Sequence, residues 1–364
     1  MRRAEPLPTI EQIRTDLAAF GIEHVGVTSA DVLHEARGAI HERIDAGLHD
    51  GMEFTFRNPE RSTDPTRAVP AARSVIVAAR SYLTDAEPER PQTDPTGPAT
   101  AGRGQPRPHA RVGRYAWVDH YAPLRAGLRS VAKSIRRADH RAVAFADDNS
   151  IVDRSVAHRA GLGWFGKNAN LLLPGVGSWF VLGSIVTTAD YTPTDRAVPD
   201  GCGTCTRCLD GCPTGAIIAP GVIDAGRCLS WILQKPGTIP LQWRELIGDR
   251  IYGCDDCQDV CPITVRLGRR ETVAVDDLSG AWVDALTLLD ASDAWIEQRY
   301  AHWYVAQRDY RWVRRNALVV VGNVGAPDDT RCHQVLDRYR SGPDPILAEH
   351  AAWAHERLVS RCSR

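Results

Sequence analysis

Eight of the chain's ten cysteines fall between Cys202 and Cys261, and their spacing belongs to electron-transfer chemistry. The run Cys202-x2-Cys205-x2-Cys208-x3-Cys212-Pro213 is the bacterial ferredoxin pattern for a [4Fe–4S] cluster. Three closely spaced thiolates wrap one face of a cubane, and the fourth, before proline, is directed at the other cluster of a pair. Cys254-x2-Cys257-x3-Cys261-Pro262 is a second copy that lacks one cysteine, and Cys228 is the unassigned thiol nearby. Two clusters with four ligands each need eight thiolates, and the window holds eight. The cross-over rule gives Cys202, Cys205, Cys208 and Cys261 to one cluster and Cys212, Cys228, Cys254 and Cys257 to the other. Zinc ribbons also use Cys-x2-Cys pairs, but two interlocked copies ending in Cys-Pro favour iron–sulfur. Cys332 and Cys362 lie outside the pattern and read as free thiols. Two adjacent clusters pass electrons singly, so the module is a relay that names neither its donor nor its acceptor.

A second group of chemically capable residues precedes the cysteines. Asp147-Asp148-Asn149-Ser150-Ile151-Val152-Asp153-Arg154 is followed by Arg159-Ala160-Gly161-Leu162-Gly163-Trp164-Phe165-Gly166-Lys167-Asn168. Asp147 falls at the end of an apolar run, a position suited to proton transfer, and the glycines suit close backbone approach to a large ligand. The same segment reads equally as a glycine-rich turn with surface acids. Neither a Gly-x-Gly-x-x-Gly after a strand nor an Asp-x-His-x-x-Gly corrinoid signature occurs, so nicotinamide or flavin binding of the Rossmann kind is unsupported.

The elements that must position these groups alternate. Thr9 before Glu11 and Gln12, with Ile13, Leu17 and Phe20 at helical spacing, predicts a capped helix ending near Gly21. Short strands are expected at His24–Val27, Ser74–Ala79, Ala142–Ala146 and Trp179–Val186, with a polar helix running to about Gly51. Leu124, Leu128, Val131 and Ile135 predict an amphipathic helix whose Arg125, Arg129, Lys133, Arg136 and Arg137 form a solvated face, with RNA contact the minority reading. Six prolines between Pro88 and Pro108 mark an insertion at about 84–110. After the cysteines, helices at 312–323, near Val335 and at 351–358 suggest HEAT-type repeats docked on the rest of the chain. The expected class is therefore α/β or α+β, in three parts: 1–190, 191–268 and 269–364.

Composition narrows the setting. The 364 residues carry 44 Lys+Arg against 45 Asp+Glu, so no general basic field exists to hold nucleic acid, and any RNA contact is local. Met1-Arg2-Arg3 is followed by no apolar signal core, and no apolar stretch approaches the roughly 18 residues that span a bilayer. The expectation is a cytoplasmic protein whose thiols hold metal.

Taken together, Ala160-Gly161-Leu162-Gly163-Trp164 with Gly166-Lys167-Asn168, the eight-cysteine pattern, and Gly248-Asp249-Arg250-Ile251-Tyr252-Gly253-Cys254-Asp255-Asp256-Cys257-Gln258 resemble the tRNA epoxyqueuosine reductase family over nearly the whole chain. The resemblance implies a cobalamin-binding domain, a two-cluster ferredoxin-like domain and a helical tail that contacts tRNA. It implies reductive removal of the epoxide oxygen of epoxyqueuosine at the tRNA wobble position, the last step of queuosine synthesis, by a monomer fed from an external electron donor. The family's proton-donating Asp lies fourteen residues before the first glycine of its Ala-Gly-Leu-Gly motif, which is Asp147 here. Asp153-Arg154 matches the family's acidic-Arg pair. Cobalamin contacts implied are Asp147, Asp153, Lys167, Asn168 and Leu171, with Ser230 and Asp255 facing the corrin. Arg114–Tyr121 departs from the family's Gly-x-Asp-Tyr-His, being one residue shorter with Tyr and His exchanged, so no role transfers to His120 or Tyr121. A similar offset near Arg61 leaves that family basic position unplaced.

Two other functions fit parts of the sequence: a reductive dehalogenase-like corrinoid enzyme acting on a small molecule, and an iron–sulfur electron carrier. The segment Arg308, Tyr310, Arg311, Trp312, Arg314 and Arg315 either grips phosphates and stacks on a base or packs Trp312 in a core beneath solvated arginines.

Overall fold

The computed structural model describes residues 5–84, 88–91, 107–194, 196–267, 272 and 279–362. The proline-rich stretch expected as an insertion lies largely outside them. The chain forms two compact units, each assembled from separated stretches. The first comprises Met1–Asp85, Asp119–Gly226 and Asp256–Ala274; the second comprises Ala86–Val118, Arg227–Asp255 and Val275–Arg364. Their boundaries do not coincide with residues 190 and 268, because the cysteine-rich stretch itself is shared between the two.

The first unit is built on a four-stranded sheet in the order His24–Ser29, Ser74–Ser81, Phe180–Thr187, Ala142–Phe145. Every pairing is antiparallel. The unit is therefore of the α+β kind, although its two central strands read as continuous apolar runs. Such runs report burial on both faces, not strand direction, and Ser74–Ser81 and Phe180–Thr187 are buried along almost their whole length. One face carries Val75, Val77, Ala79 and Val186 against Ile40, Val156 and Ala160. The helix Tyr121–Arg137 crosses the sheet closely: a Cβ on Gly183 would stand 2.6 Å from Leu128 Cδ1. Leu124, Leu128, Val131 and Ile135 are buried, while Arg129, Lys133, Arg136 and Arg137 are exposed, which is the solvated face expected. The N-terminal helix Ile10–Ala18 has the capping box predicted from Thr9 and Gln12.

The second unit holds a three-stranded sheet in the order Arg250–Tyr252, His109–Val112, Trp282–Asp284. Helices Arg311–Val324, Thr330–Arg340 and Pro345–Cys362 pack on one another beside it. Their core runs through Leu286, Trp312, Leu318, Val321, Leu336 and Ala354. Trp303 stacks between Tyr252 and Tyr300, with centroids 4.5 and 4.2 Å away. Cys332 is wholly buried and donates its thiol hydrogen to Asp329, as suits a free structural thiol. No helix among the described residues is long and apolar enough to cross a membrane.

Candidate functional site

The first quartet of cysteines lies within one unit. Cys202, Cys205, Cys208 and Cys261 all belong to it, and burial pushes the Cys208 thiol up, with the charges of Cys261, Cys202 and Cys205 adding to the effect. Cys202 and Cys261 pack with Trp164, Leu172 and Ile263, an apolar wall that restricts water.

Of the other quartet, Cys212 and Cys257 belong to the first unit and Cys228 and Cys254 to the second. Cys212 is prepared to be a thiolate. Burial alone would raise its pKa, but the Thr214 side chain and the backbone amides of Ala216, Thr214 and Ile217 bond the sulfur and hold the value below the ordinary range. The Ala216 amide donates at 3.2 Å. Asn170 Nδ2 donates to Cys257 Sγ at 3.9 Å. N–H donors to sulfur are what cluster ligands need, since they stabilise the thiolate and tune the potential. Thr214 and Asn170 were not singled out by motif reading; their signal is proximity in sequence to Cys212 and Asn168.

The Gly-Lys-Asn segment braces this centre. Lys167 Nζ donates to the carbonyl oxygens of Gly203 at 2.7 Å and Cys205 at 2.9 Å, fixing the loop that carries three ligands. Asn168 is 2% exposed; its Nδ2 donates to the Cys257 carbonyl at 3.4 Å and its Oδ1 accepts the Asn170 amide at 3.2 Å. Leu171 is buried in the strand Leu171–Leu172. The motif glycines approach the protein's own chain closely. A Cβ on Gly163 would stand 2.2 Å from the Leu172 carbonyl oxygen, and one on Gly166 would meet the Leu172 and Asn168 side chains at 2.6 and 2.8 Å. Gly161, at φ +70°, lies equally close to the Arg196 carbonyl.

Asp147 follows the edge strand Ala142–Phe145 directly and turns the chain with φ +57°. Asp is among the few residues that accept this left-handed conformation at modest cost, and here the residue is exposed. Desolvation by the surrounding protein pushes its pKa up; Arg125 opposes this, while Asp119 and Asp148 add to it. Arg125 itself is paired with Asp119 at 2.7 Å. Asp153 opens the helix Asp153–Arg159, 3.5 Å from Ser184 Oγ, and burial raises its pKa well above the usual value, reinforced by Asp147 and Asp148. Burial also raises the Tyr121 phenol, again with help from Asp147 and Asp153. Asp147, Asp153 and Tyr121 thus form one coupled group of protonatable side chains, although Tyr121 lies where the family motif breaks down. His120 is buried beside Arg80 and the Tyr82 ring.

In the second unit, Asp255 is 5% exposed and accepts the Arg114 amide at 2.6 Å, and Ser230 is half-buried in the helix Leu229–Gln234. The basic-aromatic segment divides. Tyr310 and Trp312 are buried. Arg311 pairs with Asp309 and Asp344, Arg314 with Asp293, and Arg308 remains exposed. Arg315 is fully buried, which excludes it from both the phosphate-gripping and the solvated readings.

Residues 201–264 match the 4Fe-4S double cluster binding domain family. The chain is 33% identical to the epoxyqueuosine reductase of Vibrio cholerae, with 96% of this chain and 92% of that protein aligned, and 32% identical to that of Lactococcus garvieae, with 96% of each aligned. It superimposes on the epoxyqueuosine reductase of Streptococcus thermophilus with a TM-score of 0.85 and 26% identity, covering 96% of this chain and 90% of that one. A further epoxyqueuosine reductase, solved with an epoxyqueuosine-modified tRNA-Tyr stem loop, gives a TM-score of 0.83 at 27% identity. With relatives of this similarity aligned over nearly the full length of both chains, the protein belongs to the epoxyqueuosine reductase family.

Proposed function

We propose that the protein reduces epoxyqueuosine to queuosine at the wobble position of tRNA, with two [4Fe–4S] clusters and cobalamin as its cofactors. The observation that carries the reading is the full-length similarity to epoxyqueuosine reductases, together with a unit that holds both a cysteine quartet, its loop braced by Lys167, and the strand-end carboxyl of Asp147. Converting an epoxide to an alkene and water takes two electrons and two protons. Clusters deliver electrons one at a time, and a carboxylic acid delivers a proton to the oxygen as its C–O bond opens.

The clusters fit their donor sets. Cys202, Cys205, Cys208 and Cys261 hold the first; Cys212, Cys228, Cys254 and Cys257 hold the second, Cys212 and Cys257 with N–H donors at sulfur. The proton that epoxide opening beside cobalamin needs is available from Asp147, whose exposed carboxyl has its pKa raised by desolvation. When bound, cobalamin supplies a low-valent cobalt nucleophile. Asp147 and Asp153 are the residues of the first unit left to meet it and the substrate. Lys167, Asn168, Leu171 and Asp255 already bond or pack against protein, each within its own unit.

In this reading residues 1–190 bind cobalamin, 191–268 carry the relay, and the HEAT-like helices of 269–364 contact tRNA. Arg308 and the exposed edge of the paired Arg311 are the local basic groups. The protein acts as a cytoplasmic monomer with an external electron donor. The relatives' alignment over nearly the full chain supports this reading over a dehalogenase-like enzyme or a bare electron carrier. An omission series tests it: anaerobically reconstituted protein forms queuosine in epoxyqueuosine-containing tRNA only with cobalamin and reductant both present. Formation without cobalamin would refute the cofactor assignment.

A further inference from the structure

The helix Arg311–Val324 contains two adjacent polar side chains with almost no exposure, Arg315 at 0% and Asn316 at 1%. Burying a guanidinium and an amide is expensive unless every polar atom is satisfied, and both are satisfied by main chain. Arg315 Nη1 donates to the carbonyl oxygens of Lys235 at 2.9 Å and Gly237 at 2.5 Å, and Nη2 to those of Ile232 at 3.1 Å and Leu233 at 3.4 Å. Ile232, Leu233 and the C-cap Lys235 present terminal carbonyls of the helix Leu229–Gln234, which lack partners within the helix and favour a cation, and Gly237 lies in the turn that follows. Arg315 also bonds Asn316 Oδ1 at 2.9 Å. That bond orients the Asn316 amide, whose Nδ2 donates to the Leu233 carbonyl at 2.8 Å and the Ile251 carbonyl at 3.0 Å.

The two segments joined in this way are particular ones. The helix Leu229–Gln234 has Cys228 as its N-cap, and Ile251 lies in the strand Arg250–Tyr252, immediately before Gly253 and Cys254. One NH2 group bonded to both carbonyls fixes their separation to hydrogen-bonding precision. Cys254 packs on the same apolar cluster, with Leu229, Ile232, Leu233 and Val319. We propose that Arg315 and Asn316 are positioning residues for the second [4Fe–4S] cluster, setting the separation of its ligands Cys228 and Cys254; this rests on the reading that those two cysteines serve one cluster.

The test compares anaerobically reconstituted full-length wild type with Asn316→Asp, Asn316→Leu and Arg315→Lys. Asn316→Asp keeps the acceptor for Arg315 and loses both donors. Arg315→Lys keeps the charge but cannot span four carbonyls. Asn323→Leu is the control: it removes an amide bridge of the same kind from the same helix, to the carbonyls of Arg244 and Gly248, which belong to the helix Leu241–Ile247 and its C-cap and not to the helix capped by Cys228 or the strand Arg250–Tyr252. Iron and acid-labile sulfide should fall to about half in the Asn316 and Arg315 variants. One of the two cluster signals in the electron paramagnetic resonance spectrum should be lost or shifted, while Asn323→Leu keeps both. Full iron with unshifted signals in Asn316→Asp and Arg315→Lys would overturn the proposal, as would equal loss in Asn323→Leu, which would mark a general weakening of the helix. Wild type that itself holds iron for one cluster only would instead overturn the two-cluster reading, and this inference with it.

Discussion

Lys167 is the side chain whose removal should speak most clearly about the relay. Its ammonium sits 2.7 and 2.9 Å from the Gly203 and Cys205 carbonyls, inside the loop that presents Cys202, Cys205 and Cys208. Covalent geometry then puts the charge roughly 6 Å from the Cys205 sulfur. A unit charge at that distance interacts with an added electron by about 0.7 kcal/mol at the dielectric of water and about 2.8 kcal/mol at an effective dielectric near 20. For a one-electron couple this corresponds to ~30–120 mV, and because Lys167 is partly exposed the lower half of the range applies. Lys167→Met should therefore lower the midpoint of one cluster by about 30–60 mV, and Lys167→Arg should move it much less. An anaerobic titration followed by electron paramagnetic resonance reads both. A midpoint unchanged in Lys167→Met, or moved upward, would refute the assignment of Lys167 as the charged brace of the first cluster.

Asp147→Asn should keep full iron and bind cobalamin normally yet lose turnover, as read from iron content, cobalamin absorption and product formation. Because the raised pKa of Asp147 keeps its acid form to higher pH, turnover should fall as pH rises through that value; Asp148→Asn should move this limb to lower pH and Arg125→Met to higher pH, since Asp148 raises the pKa and Arg125 lowers it. Gly163→Ala should cost about 3 kcal/mol or more in urea denaturation, since the new methyl would collide with a backbone carbonyl 2.2 Å away. Cys332→Ala should leave iron content unchanged and cost about 1 kcal/mol, whereas loss of iron would place Cys332 among the ligands. Trp312→Ala should cost about 3–5 kcal/mol in stability, the signature of a core residue, with equilibrium unfolding as the readout.

How much of this was legible in the sequence depends on how local the cause is. The cysteine spacing could be read because a cubane constrains its ligands within a few residues. Thr9 and Gln12 could be read as a capping box for the same reason. The direction of the central strands could not: continuous burial of Ser74–Ser81 reflects helices on both faces and is indifferent to whether neighbours run parallel. The glycines of Gly161-Leu162-Gly163 were legible as points of close approach, but what they approach, the carbonyls of Arg196 and Leu172, is set by tertiary structure. Arg315 is the clearest case. Its neighbours make it look like part of a phosphate grip, yet its acceptors lie some 80 residues away in sequence, at Ile232, Leu233, Lys235 and Gly237, and no local pattern announces them. The interleaving of the two units was hidden for a related reason: composition changes along the chain, whereas compactness depends on which distant stretches share a core.

The reaction of this chain is the removal of one oxygen from a modified base in tRNA. The measurement that meets it directly is mass analysis of nucleosides from epoxyqueuosine-containing tRNA after incubation with cluster-replete, cobalamin-supplied protein and a low-potential reductant. The epoxyqueuosine peak should be replaced by one lighter by a single oxygen atom, and Asp147→Asn should leave it in place. Unchanged epoxyqueuosine in the presence of wild type with both clusters and cobalamin bound would contradict that reaction.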